Sequence, residues 1–333
     1  MKYLPFVFVF LMLAGCAVKP GTRVKRHGDE IMVAGELFRI GAPVVLWTDP
    51  GGYDAYRTER RFGDFDDADY HTTAANNKHI TEPNRYGHRI NRFHNGRADF
   101  TADQIEQVRG GGWTLNHLRD VVDQFVIHYD VCLTSEQCFK VLHDQRGLSV
   151  HFLLDVDGTI YQTLDLKERA WHASEANSRS VGIEIANMGA WSTSNPARLD
   201  RCYVQDAQGW RIDIPERLLA GIRTPGFVAR PAHATPVVGE INGRQLKQYD
   251  FTEAQYRSLT QLTAALCRIF PKIEPDYPRD ADGQLITEVL TPEQFAAFRG
   301  VLGHYHVTRG KVDPGPAFDW DRVIGGARGK PRR

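Results

Sequence analysis

Late in the chain, Gly303-His304-Tyr305-His306-Val307-Thr308-Arg309-Gly310-Lys311-Val312-Asp313-Pro314-Gly315 gathers an imidazole, an ammonium and a carboxylate in one short stretch. His304 and Asp313 are good ligands for zinc, and Lys311 is suited to steadying negative charge beside a metal. Taken alone, the stretch reads equally as an exposed histidine followed by an ordinary Asp-Pro-Gly turn. A second carboxylate with room around it is Glu184. In Val181-Gly182-Ile183-Glu184-Ile185-Ala186, the apolar residues alternate onto one strand face and Glu184 lies on the other between two small neighbours. Such a carboxylate can face a ligand, though a solvent-facing strand glutamate looks the same.

The elements that must hold these groups can be read around them. Gln124-Phe125-Val126-Ile127-His128 predicts a buried strand that ends on a histidine. Thr134-Ser135-Glu136-Gln137 predicts a capped helix stopping near Gly147. Val150 to Leu154 and Thr159 to Gln162 flank Asp157-Gly158 as a hairpin. Thr252-Glu253-Ala254-Gln255 opens a helix whose Tyr256, Leu259, Leu262 and Leu266 share one core-facing stripe. Thr291-Pro292-Glu293-Gln294 opens another, and the spacing of Phe295, Phe298 and Leu302 predicts that it runs to Gly303, placing His304 at a helix end.

Lys2 and the apolar run from Tyr3 to Ala14 make a secretory signal too short to span a bilayer. It ends in Leu13-Ala14-Gly15-Cys16, which resembles a bacterial lipobox and makes Cys16 the expected lipidated residue. The expected destination is the cell envelope, lipid-anchored at the outer membrane and facing the periplasm. Lys plus Arg and Asp plus Glu are 41 each, so no overall field draws nucleic acid, and none is expected as a partner. Without Cys16, the exported chain keeps Cys132, Cys138, Cys202 and Cys267. Three pairings are open; nearness in sequence favours Cys132 with Cys138, leaving Cys202 with Cys267. Residues 16–119 lack clear periodicity and read as a region wrapping the main domain, with the Gly110-Gly111-Gly112 run a turn and His71, His79, His88 and His94 without ligand spacing. Residues 192–250 are broken by Gly and Pro and read as an insertion, a candidate lid.

Five segments fall in one order: Phe125-Val126-Ile127-His128, Leu148 to Gly158, Ala170-Trp171-His172-Ala173, Ser180 to Ile185, and Gly303-His304 with Lys311 to Gly315. Together they resemble the zinc-dependent N-acetylmuramoyl-L-alanine amidases that share a fold with peptidoglycan recognition proteins, and within them the anhydromuramyl-peptide amidases. The resemblance covers about residues 120–191 and 252–320. It implies an α/β fold with a mixed central β-sheet flanked by helices, in a catalytic domain spanning 120–325 after a 1–15 signal. It also implies a zinc ion on His128, His304 and Asp313, with Glu184 and Lys311 as catalytic residues and His151 and His172 beside the metal or the substrate. The Cys132 to Cys138 spacing looks like a disulfide pair in animal recognition proteins. Two positions depart from the family: His306 stands where an acidic residue is common, and Val150 where some relatives have a catalytic tyrosine.

The implied chemistry is hydrolysis of the amide joining the lactyl group of muramic acid to L-alanine, in peptidoglycan or muropeptides. Glu184 would move the proton, and Lys311 would steady the oxyanion. A peptidoglycan-binding lipoprotein with the same fold and no hydrolysis would be expected to have a broken ligand set, and here the positions are filled. A purely structural envelope lipoprotein would bind no zinc.

Overall fold

The computed structural model describes residues 26–56, 86–88, 101, 103 and 112–329. The signal, Cys16, His71, His79, His94, Gly110 and Gly111 lie outside the described residues. In chain order the elements that build the site are β1 (Val44–Leu46), α1 (Leu115–Val121), β2 (Gln124–Tyr129), α2 (Ser135–Phe139), β3 (Phe152–Leu154), β4 (Ile160–Gln162) and β5 (Ser180–Ile185). An inserted group follows with β6 (Trp191–Ser192), β7 (Val237–Ile241) and β8 (Arg244–Gln248). Then come α3 (Glu253–Ile269), α4 (Pro292–Ala297), β9 (Gly300–Gly303), α5 (His304–Val307) and α6 (Trp320–Ala327).

Six strands form one sheet in the order β9-β2-β5-β3-β4-β1. β9, β2, β5 and β3 are mutually parallel; β4 returns antiparallel beside β3, and β1 runs parallel to β4. The expected mixed sheet flanked by helices is therefore the fold. The N-terminal region takes part in it directly, because Val44–Leu46 close one sheet edge against Ile160–Gln162.

Strand alternation divides the packing. Phe125 and Ile127 of β2, with Val181, Ile183 and Ile185 of β5, bury themselves against Tyr256, Leu259, Leu262 and Leu266 of α3 and against Val323 and Ile324 of α6. Each such leucine withdrawn from water contributes about 1.5–3 kcal/mol. α3 starts where its sequence says it should: Thr252 caps Gln255, and the Gln255 side chain returns to the Thr252 N–H. The Asp157-Gly158 turn packs onto that start, with Gly158 at φ +86° and a Cβ there 2.7 Å from the Ala254 carbonyl oxygen, so only glycine fits. Val126 and Leu302 point to the opposite face, where Ala173, Ala176 and Leu290 cover them.

One element differs from expectation. Thr291 does cap a helix with Gln294 closing the box, but that helix ends at Ala297 with Phe298 as its C-cap. Residues 300–303 instead form β9, paired in parallel with Gln124–Ile127. Gly300, at φ +146°, turns the chain out of the helix, and Val301 and Leu302 are both fully buried in opposite clusters, as a central strand requires. Phe298 and Leu302 mimic helical spacing across that break.

The insertion is a small antiparallel sheet in the order β6-β8-β7, with a separate hairpin at Tyr203–Asp206 and Gly209–Ile212. It lies against the loop between α5 and α6, where a Cβ on Gly239 would meet Pro316 at 2.8 Å.

Candidate metal centre and active site

In an open α/β sheet, ligand sites form beyond the carboxyl ends of the parallel strands. Three strands end together here. His128 lies near the end of β2, Glu184 directly beside it in register on β5, and His304 follows the last residue of β9. Both His128 and Glu184 sit on the face turned away from α3, because their neighbours Ile127, Ile183 and Ile185 point toward it.

Asp313 reaches the same point from the loop after α5, its main-chain carbonyl accepting from the Tyr305 N–H at 3.1 Å. The result is a tight triangle. His128 Nδ1 lies 3.0 Å from His304 Nδ1, and Asp313 Oδ2 lies 2.9 Å from the first and 3.0 Å from the second. All three residues are buried. Two imidazole nitrogens and a carboxylate oxygen converging on one another suit a shared positive ion. The donor atoms around a tetrahedral zinc lie roughly 3.3 Å apart, close to what this cluster offers.

The electrostatics agree. Burial draws the His128 imidazole down to about 4, and the neighbouring His304 adds to this against the pull of Asp313. Burial alone would raise the Asp313 carboxyl, but His304 and His128 hold it well below the usual range. A neutral imidazole and an ionised carboxylate are the forms that ligate a metal. Burial pushes Glu184 well above the ordinary carboxylate range; Asp313 and Asp130 reinforce this, and Lys311 opposes it. Its Oε2 is buried and has no hydrogen-bond partner. Lys311 is exposed at the mouth, near enough for its charge to act on both His128 and Glu184.

The two remaining histidines separate. His172 Nδ1 stands 2.9 Å from His128 Nε2, and its Nε2 stands 3.2 Å from Ser180 Oγ. It therefore backs the metal cluster. His151 is fully buried: the Gly182 N–H donates to its Nδ1 at 3.1 Å, and its Nε2 donates to the Glu168 carbonyl at 3.0 Å. It ties β5 to the segment leading toward His172. His306 is equally structural, accepting from the Gly303 N–H and donating to the Ile286 carbonyl, with burial drawing it down to about 3.

Residues 118–213 match the family model described as N-acetylmuramoyl-L-alanine amidase. A curated relative is the 1,6-anhydro-N-acetylmuramyl-L-alanine amidase AmpD of Haemophilus influenzae, 23% identical over 216 residues, or 65% of this chain and 72% of that one. The chain carries an N-acetylmuramoyl-L-alanine amidase domain. The part of it matched by the family model holds His128 and Glu184 and ends before His304, Lys311 and Asp313. Among solved structures, an AmpD derivative aligns at 17% identity and a TM-score of 0.32, over 62% of this amidase and 86% of that chain. AmiD from E. coli, solved with anhydro-N-acetylmuramic acid-L-Ala-D-gamma-Glu-L-Lys, aligns at 19% identity and 0.34, over 62% and 57%.

The amidase holds its four described cysteines as free thiols. Cys132 and Cys138 interact directly, Cys138 pulling the Cys132 thiol down while burial raises its own. Cys202 and Cys267 pack into different clusters, so the fold does not bring together the pair reached by elimination. Sequence reading gave no role to Asp130, Asn242 or Gln248 and took Ser180 and Gly182 only as parts of the Glu184 strand, yet all five brace the site. Asp130 Oδ1 accepts from the Cys132 and Asn187 N–H groups just past His128. Of these, the Asn242-Gly243 pair carries a readable signal, the signature of a two-residue hairpin turn.

Proposed function

We propose that this amidase hydrolyses the amide between the lactyl group of N-acetylmuramic acid and L-alanine, in peptidoglycan or muropeptides, with zinc held by His128, His304 and Asp313. The observation that carries the reading is the convergence of the three ligand atoms to within 3.0 Å of one another, with Glu184 beside them in register on the adjoining strand. When bound, zinc supplies a Lewis acid that lowers the pKa of water to roughly 7.

The chain's own groups do the rest. His172 fixes the His128 ring so that Nδ1 presents its lone pair: the His128 proton sits on Nε2 and donates to His172 Nδ1, whose own Nε2–H then reaches Ser180 Oγ. Glu184, with a buried oxygen free of partners, takes a proton from the attacking water and passes it to the leaving nitrogen of L-alanine. Lys311 brings its positive charge at the mouth to the oxygen of the scissile carbonyl as it becomes an oxyanion, an interaction worth about 3–4 kcal/mol.

Leu13-Ala14-Gly15-Cys16 supports a lipid-anchored envelope protein, attached through Cys16 at the outer membrane and facing the periplasm. No described helix is long and apolar enough to cross a membrane. Digestion of purified peptidoglycan and of anhydro-muropeptides with the zinc-loaded protein, followed by mass spectrometry, tests the reaction. Free stem peptides beginning with L-alanine are expected. Recovery of uncleaved muropeptides from both digests rejects it.

A further inference from the structure

The insertion reaches the loop that carries Lys311 and Asp313 through three side chains. Asn242 sits at the tip of the β7–β8 hairpin, with Ile241 paired to Arg244 across a two-residue turn. Its Nδ2 donates to the Lys311 carbonyl at 2.9 Å and to the Tyr305 carbonyl at 3.3 Å, while its Oδ1 accepts from the Val289 N–H at 2.8 Å. Arg244 adds a 3.4 Å bond to the Gly310 carbonyl. On the far side of Asp313, the buried Gln248 of β8 donates to the Pro314 carbonyl at 2.9 Å and accepts from the Ala317 N–H at 3.0 Å. A Cβ on Gly315 would strike Gln248, so the loop lies directly against that side chain.

We propose that Asn242 is a positioning residue for amide hydrolysis: it fixes the main chain of Lys311, while Gln248 separately fixes the segment after Asp313. The insertion is then a buttress under the active-site loop. The assignment rests on Lys311 acting in the reaction. The Lys311 N–H donates to the Thr308 carbonyl at 2.9 Å, so Asn242 and Thr308 hold the two main-chain polar groups of an exposed residue. The ammonium hangs from that main chain, and a displacement of about 1 Å at a reacting group can cost about a hundredfold in rate.

Asn242 also has a turn to make. It stands at φ +50°, followed by Gly243 at φ +73°, the backbone of a type I′ turn. Asn242→Gly keeps that turn and deletes only the amide, which makes it the informative variant. It is compared with Lys311→Ala and with the double variant in the full-length, zinc-loaded protein. Three readouts are taken: kcat and KM, zinc affinity by chelator competition, and amide hydrogen exchange across residues 305–313.

The expected result is a fall in kcat of roughly ten- to a hundredfold with KM within about twofold, and an unchanged zinc affinity. Exchange should be faster at Lys311 than in the wild type, with β2 amides unaffected. The double variant should be no slower than Lys311→Ala alone, since both changes remove the same interaction. Losses that multiply in the double variant, or exchange at Lys311 equal to wild type, overturn the proposal. If Lys311→Ala is itself fully active, the catalytic reading of Lys311 falls and the positioning role falls with it. If zinc affinity drops while turnover per bound zinc holds, Asn242 serves the ligand loop as a whole and the division of labour is wrong.

Discussion

Gly182→Ala tests whether His172 sets the metal affinity. A Cβ at position 182 would lie 2.6 Å from Nδ1 and Cε1 of His172 and 2.8 Å from its Cγ. Ordinary carbon contacts need about 3.5 Å, so the ring must move by most of an ångström. It has a reason not to move, because its Nδ1 is 2.9 Å from His128 Nε2 and its Nε2 is 3.2 Å from Ser180 Oγ. Displacement therefore removes the partner that orients His128 and selects its tautomer. Loss of such a partner typically weakens metal binding by about 10–100-fold, or about 1.4–2.7 kcal/mol. Overpacking should lower stability by a further 1–3 kcal/mol or so, a separate effect read from denaturation of the metal-free protein. Zinc affinity is measured by chelator competition for wild type, Gly182→Ala, His172→Ala and the double variant. Each single change should weaken zinc by a similar factor, with little more lost in the double. A Gly182→Ala protein that folds and binds zinc within twofold of wild type refutes the reasoning.

Other outcomes follow from the same geometry. Asp313→Ala should lose most of the zinc and all useful activity, whereas Lys311→Ala should keep near-stoichiometric zinc and lose about a hundredfold in single-turnover rate; tight zinc binding by the first would unseat Asp313 as a ligand. Cys16→Ser should move the protein from the membrane to the soluble fraction without changing its melting temperature, and unchanged membrane attachment would exclude lipidation at Cys16. Burial would raise the Glu30 carboxyl, but N–H donors from His27 and Gly28, with Arg26 beside it, hold it down to about 2 from 4.5. A depressed carboxyl contributes stability that is full above about pH 4.5 and is lost as pH falls through about 2, here on the order of 1 kcal/mol once solvent screening is allowed for. Glu30→Gln should remove that contribution, flattening the difference in denaturation midpoint between pH 6 and pH 3; an undiminished pH slope in the variant would count against it.

The parts of this fold that sequence made legible are those specified locally. Gln124–Tyr129 needs no partner to be recognised as a buried strand, and Thr252 with Gln255 caps α3 from within one turn. Residues 300–303 show the limit: Phe298 and Leu302 keep a helical interval, and only the ladder to Gln124–Ile127 makes that stretch a strand. The site divides in the same way. The residues proposed to hold the metal or act on substrate, such as His128, Glu184 and His304, are of types that can do that chemistry, and ordered motifs narrow the reading to a family. Residues that hold them do not. His151 and His172 look alike in sequence, yet one meets two main-chain groups and the other meets His128, a partner 44 positions away. Asn242 meets Lys311 across 69 positions and Gln248 meets Pro314 across 66, from an insertion whose glycines and prolines suggested a lid. A supporting side chain is chosen by the geometry of two distant segments once they have docked, and in one sequence that choice leaves no pattern. Its consequence is physical: on the proposed bracing of the Lys311 loop by Asn242 and Gln248, substitutions in 237–248 should change turnover without touching a ligand.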